Sequence, residues 1–65
     1  MKITVNGTDT DVAANTLAQA LHELGYGDQR VATAVNENFV PATARDAQEL
    51  AEGDRLEIVT PRQGG

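Results

Sequence analysis

The sequence predicts an α+β fold in which one main helix packs on one face of a small sheet. Three observations carry that prediction. The first residues alternate with period two on either side of an Asn-Gly pair. Only one segment shows a helical apolar stripe. Alternation then returns in the second half of the chain, giving the order strand, strand, helix and further strands.

Ile3 and Val5 alternate with Lys2 and Thr4, the pattern of a strand with one buried face. Asn6-Gly7 supplies the positive φ angles of a type I′ turn. Thr8, Thr10 and Val12 alternate with Asp9 and Asp11, so the chain opens with a hairpin. Thr16-Leu17-Ala18-Gln19 has the form of a capping box. Leu17, Ala20, Leu21 and Leu24 follow at i, i+3, i+4 and i+7, one apolar stripe. Gly25 ends this helix as its left-handed C′ residue. The helix has about nine residues, too few to stand alone in water, so it must pack on the sheet.

Gly25 to Arg30 forms a loop. Val31 to Val35 is a strand with Val31, Thr33 and Val35 on one face and the two alanines on the other. The pattern leaves open which face meets the helix. Asn36-Glu37-Asn38 turns the chain into a short strand at Phe39 and Val40, which Pro41 ends by removing a ladder donor. Residues 42–52 are polar and alanine-rich around Leu50, a helical turn. Gly53-Asp54 turns the chain again, and Leu56 and Ile58 alternate with Glu57 in a last strand ending near Val59. Residues 1–59 thus make one domain. Residues 60–65 have no apolar pattern and form a flexible tail ending Gly-Gly.

The 65 residues leave room for a single core and little for an enclosed substrate cavity. The expectation is a protein that is not an enzyme. The chain has no cysteine, which excludes disulfides, thiolate metal sites and a cysteine nucleophile. A formal net charge of −5 lacks the basic stripe that nucleic acid requires and suits basic protein partners. No apolar run approaches the ~20 residues of a membrane span, and no signal peptide precedes the first strand. A cytoplasmic protein, monomeric when free and without membrane or nucleic-acid partners, is expected.

His22 is the only histidine, and it lies beside the apolar stripe of its helix. Neither a partner nucleophile nor further metal ligands accompany it, so it is an exposed helix residue. The ten acids are spread along the chain without the spacing of a calcium loop. No catalytic or metal-binding residue is assigned. An exposed sheet face is one candidate surface, because a single helix covers only one side and Val59 points opposite Ile58. The other candidate is Gly64-Gly65. The pair is either a frayed end or an activatable one. Glycine admits close approach of other backbones, so such an end can thread a narrow channel in a partner's ATP site. Gly65 would be the reacting group and Gly64 the slender neck behind it.

Taken together, these segments resemble the ThiS family, the sulfur carriers of thiamin thiazole biosynthesis. The matching residues are Met1-Lys2-Ile3, Asn6-Gly7, Thr16-Leu17 leading to Leu21 and Leu24, and Ala34-Val35-Asn36 followed by Val40-Pro41. Leu50, the run from Glu52 to Ile58 and Gly64-Gly65 complete a resemblance over essentially the whole chain. It implies a β-grasp, ubiquitin-like fold with a mixed sheet of four to five strands. It also implies a mechanism. A ThiF-type enzyme uses ATP to adenylate Gly65. Sulfur from cysteine, released by a cysteine desulfurase, converts Gly65 to a thiocarboxylate. A ThiG-type thiazole synthase receives the sulfur. The carrier itself binds no cofactor. Three other readings stay open on the residues alone: a molybdopterin-type sulfur carrier, a ubiquitin-like protein modifier, and a plain interaction domain.

Overall fold

The computed structural model describes residues 1–61. Its elements are β1 (Lys2–Val5), β2 (Thr8–Asp11), α1 (Leu17–Glu23), β3 (Ala32–Val35), β4 (Asn38–Val40), a 3₁₀ turn at Ala42–Ala44 and β5 (Arg55–Val59). The five strands form one mixed sheet in the order β2-β1-β5-β3-β4. β5 runs parallel to β1 and antiparallel to β3. The two hairpins, β1–β2 and β3–β4, are antiparallel. This is the expected β-grasp arrangement, with the last strand inserted between the two hairpins.

Local chemistry sets most of these boundaries. Asn6 and Gly7 have φ of 51° and 85°, the positive values that close the first hairpin. Thr16 caps α1: its hydroxyl accepts from the Gln19 N–H at 3.2 Å, and the Gln19 side chain accepts from the Thr16 N–H. At the other end, the Tyr26 N–H reaches the Leu21 carbonyl at 2.8 Å and the Gly25 N–H reaches that of His22 at 3.1 Å. Gly25 sits at φ 93°, so a Schellman motif terminates the helix. The helix proper has 7 residues, and the expected nine count its two caps, Thr16 and Leu24.

The core lies between α1 and one sheet face. Ile3, Leu17 and Leu56 are essentially fully buried there, with Leu21, Val35, Val40 and Ile58 around them. Each such large side chain contributes about 1.5–3 kcal/mol by leaving water. Val31, Thr33 and Val35 are buried, so theirs is the face that meets the helix, and Ala32 and Ala34 lie on the opposite one. Residues 42–52 make only a 3₁₀ turn and further turns, which seal the rim of the core with Leu50. Their backbone is tied down by bonds from Leu17 N–H to the Gln48 carbonyl (2.8 Å) and from Leu50 N–H to that of Asn15 (2.9 Å).

Thr33 is the one polar residue buried in the core of the described chain. Its hydroxyl donates to the Val40 carbonyl at 2.8 Å and accepts from Arg45 Nε at 3.1 Å. Arg45 Nη2 donates to the Val31 carbonyl at 2.6 Å. The guanidinium thus braces β3 from the 42–52 segment, and the buried hydroxyl has both its partners.

Leu56→Ala should lower stability by about 2–5 kcal/mol through a cavity beneath the central strand. Val59→Ala, on the exposed side of the same strand, should change it by no more than about 0.5 kcal/mol. Urea unfolding of the two variants checks the contrast.

Candidate functional site

The sheet face away from α1 is uncovered, and its two halves differ in chemistry. On the β2–β1 half, Asp11 lies opposite Lys2 and Asp9 opposite Thr4, and Thr4 neighbours Arg55 of β5. On the other half, Glu57 neighbours Ala34, which neighbours Phe39, and Val59 neighbours Ala32. Phe39 is 70% exposed and Val59 63% exposed, although both are large and apolar. Between their strands stand only the methyl groups of β3, so this half of the face is a shallow apolar valley.

The valley deepens where β5 ends. Arg30, Val31, Ala32, Val59 and Pro61 line an open groove of about 320 Å³. Its walls are almost wholly apolar. Pro61 ends the possibility of further pairing, since it has no N–H for the ladder. The chain therefore leaves the sheet beside the most apolar part of the open face. An ion pair between Arg55 and Glu37 (3.7 Å) borders the face, but both side chains are well exposed and the pair contributes little.

A second, polar depression of about 210 Å³ lies on the helix side, among His22, Tyr26, Arg45 and Asp46. Arg45 is already committed to Thr33 and Val31. His22 is exposed, as expected. Gly27 closes on it so tightly that a Cβ there would stand 2.9 Å from His22 Nδ1. A side chain at position 27 would require the His22 ring to move aside. Among the described residues, no group of three or more His, Cys, Asp or Glu side chains could hold a metal ion. No helix among them is long and apolar enough to cross a membrane.

The exposed face expected from the alternation of Ile58 and Val59 is thus present, and Phe39 joins it. Phe39 escapes a reading by pattern because a strand of three residues has no period to measure. The other expected site, Gly64-Gly65, lies outside the described residues, as does the 62–65 part of the expected 60–65 tail. Glu23, which reads as one surface acid among ten, accepts from the Ala13 and Ala14 N–H groups at 3.1 Å and ties the chain entering α1 to the helix end.

Comparison with known proteins adds four findings. The model of the ThiS family matches residues 3–65. The crystal structure of a thiamine biosynthesis protein (ThiS) from Geobacter metallireducens superposes with a TM-score of 0.82 at 28% identity, each chain covered in full. An NMR solution structure of a thiamine biosynthesis protein from Geobacter metallireducens gives 0.80 at 26% identity, covering all of this chain and 88% of that one. A thiazole synthase of Paramagnetospirillum magneticum is 35% identical over 66 residues. The chain is covered completely in that match but spans only 20% of the length of that curated relative.

Phe39→Asp should lower the unfolding free energy by no more than about 1 kcal/mol, the cost of strand propensity, because the ring lies outside the core. Thermal or urea unfolding checks that the apolar valley is not needed for folding.

Proposed function

The chain belongs to the ThiS family, and from that premise we propose that it is a sulfur carrier of thiamin thiazole biosynthesis whose reacting group is the carboxylate of Gly65. A ThiF-type enzyme joins that carboxylate to AMP from ATP, with loss of pyrophosphate. A desulfurase takes sulfur from cysteine as a persulfide, leaving alanine. The persulfide's terminal sulfur displaces AMP, and a thiol reductant then cleaves the acyl disulfide, its two electrons leaving the sulfur on Gly65 at the sulfide level. The product is a thiocarboxylate at Gly65. A ThiG-type thiazole synthase takes the sulfur for the thiazole ring, and the carboxylate is restored. The chain is a co-substrate rather than an enzyme, and the ATP site belongs to its partner.

The observation that carries this reading is the extent of the family match, which runs through residue 65 and so includes Gly64-Gly65. The Paramagnetospirillum relative supports the choice of acceptor. There, a segment similar to this chain occupies a fifth of a protein named thiazole synthase. Placing two modules in one polypeptide raises the effective concentration of one for the other, which favours a carrier joined to the enzyme it serves. The apolar valley of Phe39, Ala34, Ala32 and Val59 supplies the docking surface. It lies beside the point where the chain leaves the sheet, so a partner seated on it has the tail within reach. The acidic balance of the chain favours a partner with a basic rim.

Incubation with ATP, cysteine, a desulfurase, a thiol reductant and a ThiF-type enzyme should raise the intact mass by the exchange of one oxygen for one sulfur at Gly65. Isopeptide adducts on other proteins in place of that change would make the chain a modifier. Removal of Gly65 should abolish thiazole formation in cells. Phe39→Asp and Val59→Asp should each slow thiocarboxylate formation by roughly tenfold or more, as loss of an interface anchor does.

A further inference from the structure

The two asparagines that open the hairpin turns perform the same task at opposite ends of β5. Asn36 (φ 51°) accepts from the Arg55 N–H through Oδ1 at 2.9 Å, and its Nδ2 donates to Asp54 Oδ1 at 3.0 Å. Its own N–H reaches the Arg55 carbonyl at 2.8 Å. This pins the start of β5 on the β3 side. Asn6 (also φ 51°) works on the β1 side, near the other end. Its backbone N–H donates to the Leu56 carbonyl at 2.9 Å, the last backbone rung of the β1–β5 ladder. The chain then turns away through Gly7 into β2, so β1 offers β5 no further backbone.

The Asn6 carboxamide fills that gap. The Ile58 N–H donates to Asn6 Oδ1 at 2.8 Å, and Asn6 Nδ2 donates to the Ile58 carbonyl at 3.1 Å. A carboxamide presents the same acceptor and donor as a peptide group, so the side chain acts as one more rung of the parallel ladder. The carbonyl it holds belongs to the residue immediately before Val59. One residue further on, the sheet ends and the chain departs along the apolar groove.

We propose that Asn6 is a positioning residue for the chemistry at Gly65, fixing through Ile58 the point and direction in which the chain leaves the sheet. The proposal rests on the carrier reading given above. Acyl transfer at the end of a tail depends on where the tail starts, since small misplacements of a reacting group cost large factors in rate. Without the Asn6 rung, the end of β5 is held from one side only, by β3. Phe39 and Ala34 lie on other strands, away from this rung, so most of the docking surface is kept and the effect falls on turnover more than on binding.

Asn6→Gly and Asn36→Gly test this as a pair. Glycine accepts φ near 51° without strain, so each variant removes a carboxamide and leaves its turn conformation available. Each is assayed with a ThiF-type enzyme, ATP and a sulfide source by intact mass, and unfolding curves give the folded fraction. Asn6→Gly is expected to lower kcat for the folded carrier by roughly tenfold and to leave its KM within about twofold. Asn36→Gly is expected to lose stability with kcat and KM unchanged. Amide exchange at Ile58 should quicken in the first variant by more than its loss of global stability accounts for, and in the second only in step with that loss. Equal kcat for Asn6→Gly and the unmodified chain overturns the positioning role. So does a loss shared by both variants in proportion to their stability. No sulfur gained by the unmodified chain overturns the carrier reading itself, and the role proposed for Asn6 falls with it.

Discussion

The rest of the structure depends on the pairing of β5 with two strands at once. In the order β2-β1-β5-β3-β4, no other ladder joins the first hairpin to the second. Leu56 and Ile58 enter the core from this strand and meet α1, while the strand's backbone bonds β1 on one side and β3 on the other. The two halves of the sheet are therefore one body only when the segment most distant in sequence from β1 has arrived. Because that closure is non-local, its entropic cost precedes any contact it creates. The asparagines at positions 6 and 36 and the Arg45 brace on β3 reinforce the strands around this closure.

The same strand explains why the open face is chemically divided. Its outward residues run Arg55, Glu57, Val59, from charged to apolar in the direction of the chain. The neighbouring strands follow suit, with Asp9, Asp11 and Lys2 on one half and Ala32, Ala34 and Phe39 on the other. The sheet's edges are protected by other means. β2 carries two aspartates along its free edge, and β4 has three residues and is followed by Pro41. Charge, shortness and proline all discourage pairing with another sheet. The protein thus blunts its edges and leaves a face exposed, which presents side chains rather than an unpaired backbone.

How much of this was legible in the sequence follows from the range of each interaction. Asn6-Gly7, the Thr16–Gln19 capping box and Gly25 act within a few residues, and each declares its turn or cap locally. The alternations at Ile3–Val5 and Leu56–Ile58 declare strands. The buried side of residues 31–35 was not legible, because valines and alanines on the two faces give no polar contrast. The strand order came only through family resemblance, since nothing in β5 names β1 as its partner. The bonds of Asn6 to Ile58, Asn36 to Arg55 and Arg45 to Thr33 span many residues, and a sequence cannot distinguish such an asparagine from one that merely turns the chain. Of the site, the exposed Val59 was legible from parity alone. Phe39 was not, and Gly64-Gly65 rests on the sequence and the family match.

The central place of β5 also has a mechanical consequence. A pull on the chain beyond Pro61 acts along the strand axis. Hydrogen bonds to β1, to the Asn6 carboxamide and to β3 lie across that axis, so the load is shared by all of them in shear. An edge strand pulled from its end could instead peel away one bond at a time. A chain end carried on the innermost strand therefore resists a load better than one carried on an edge.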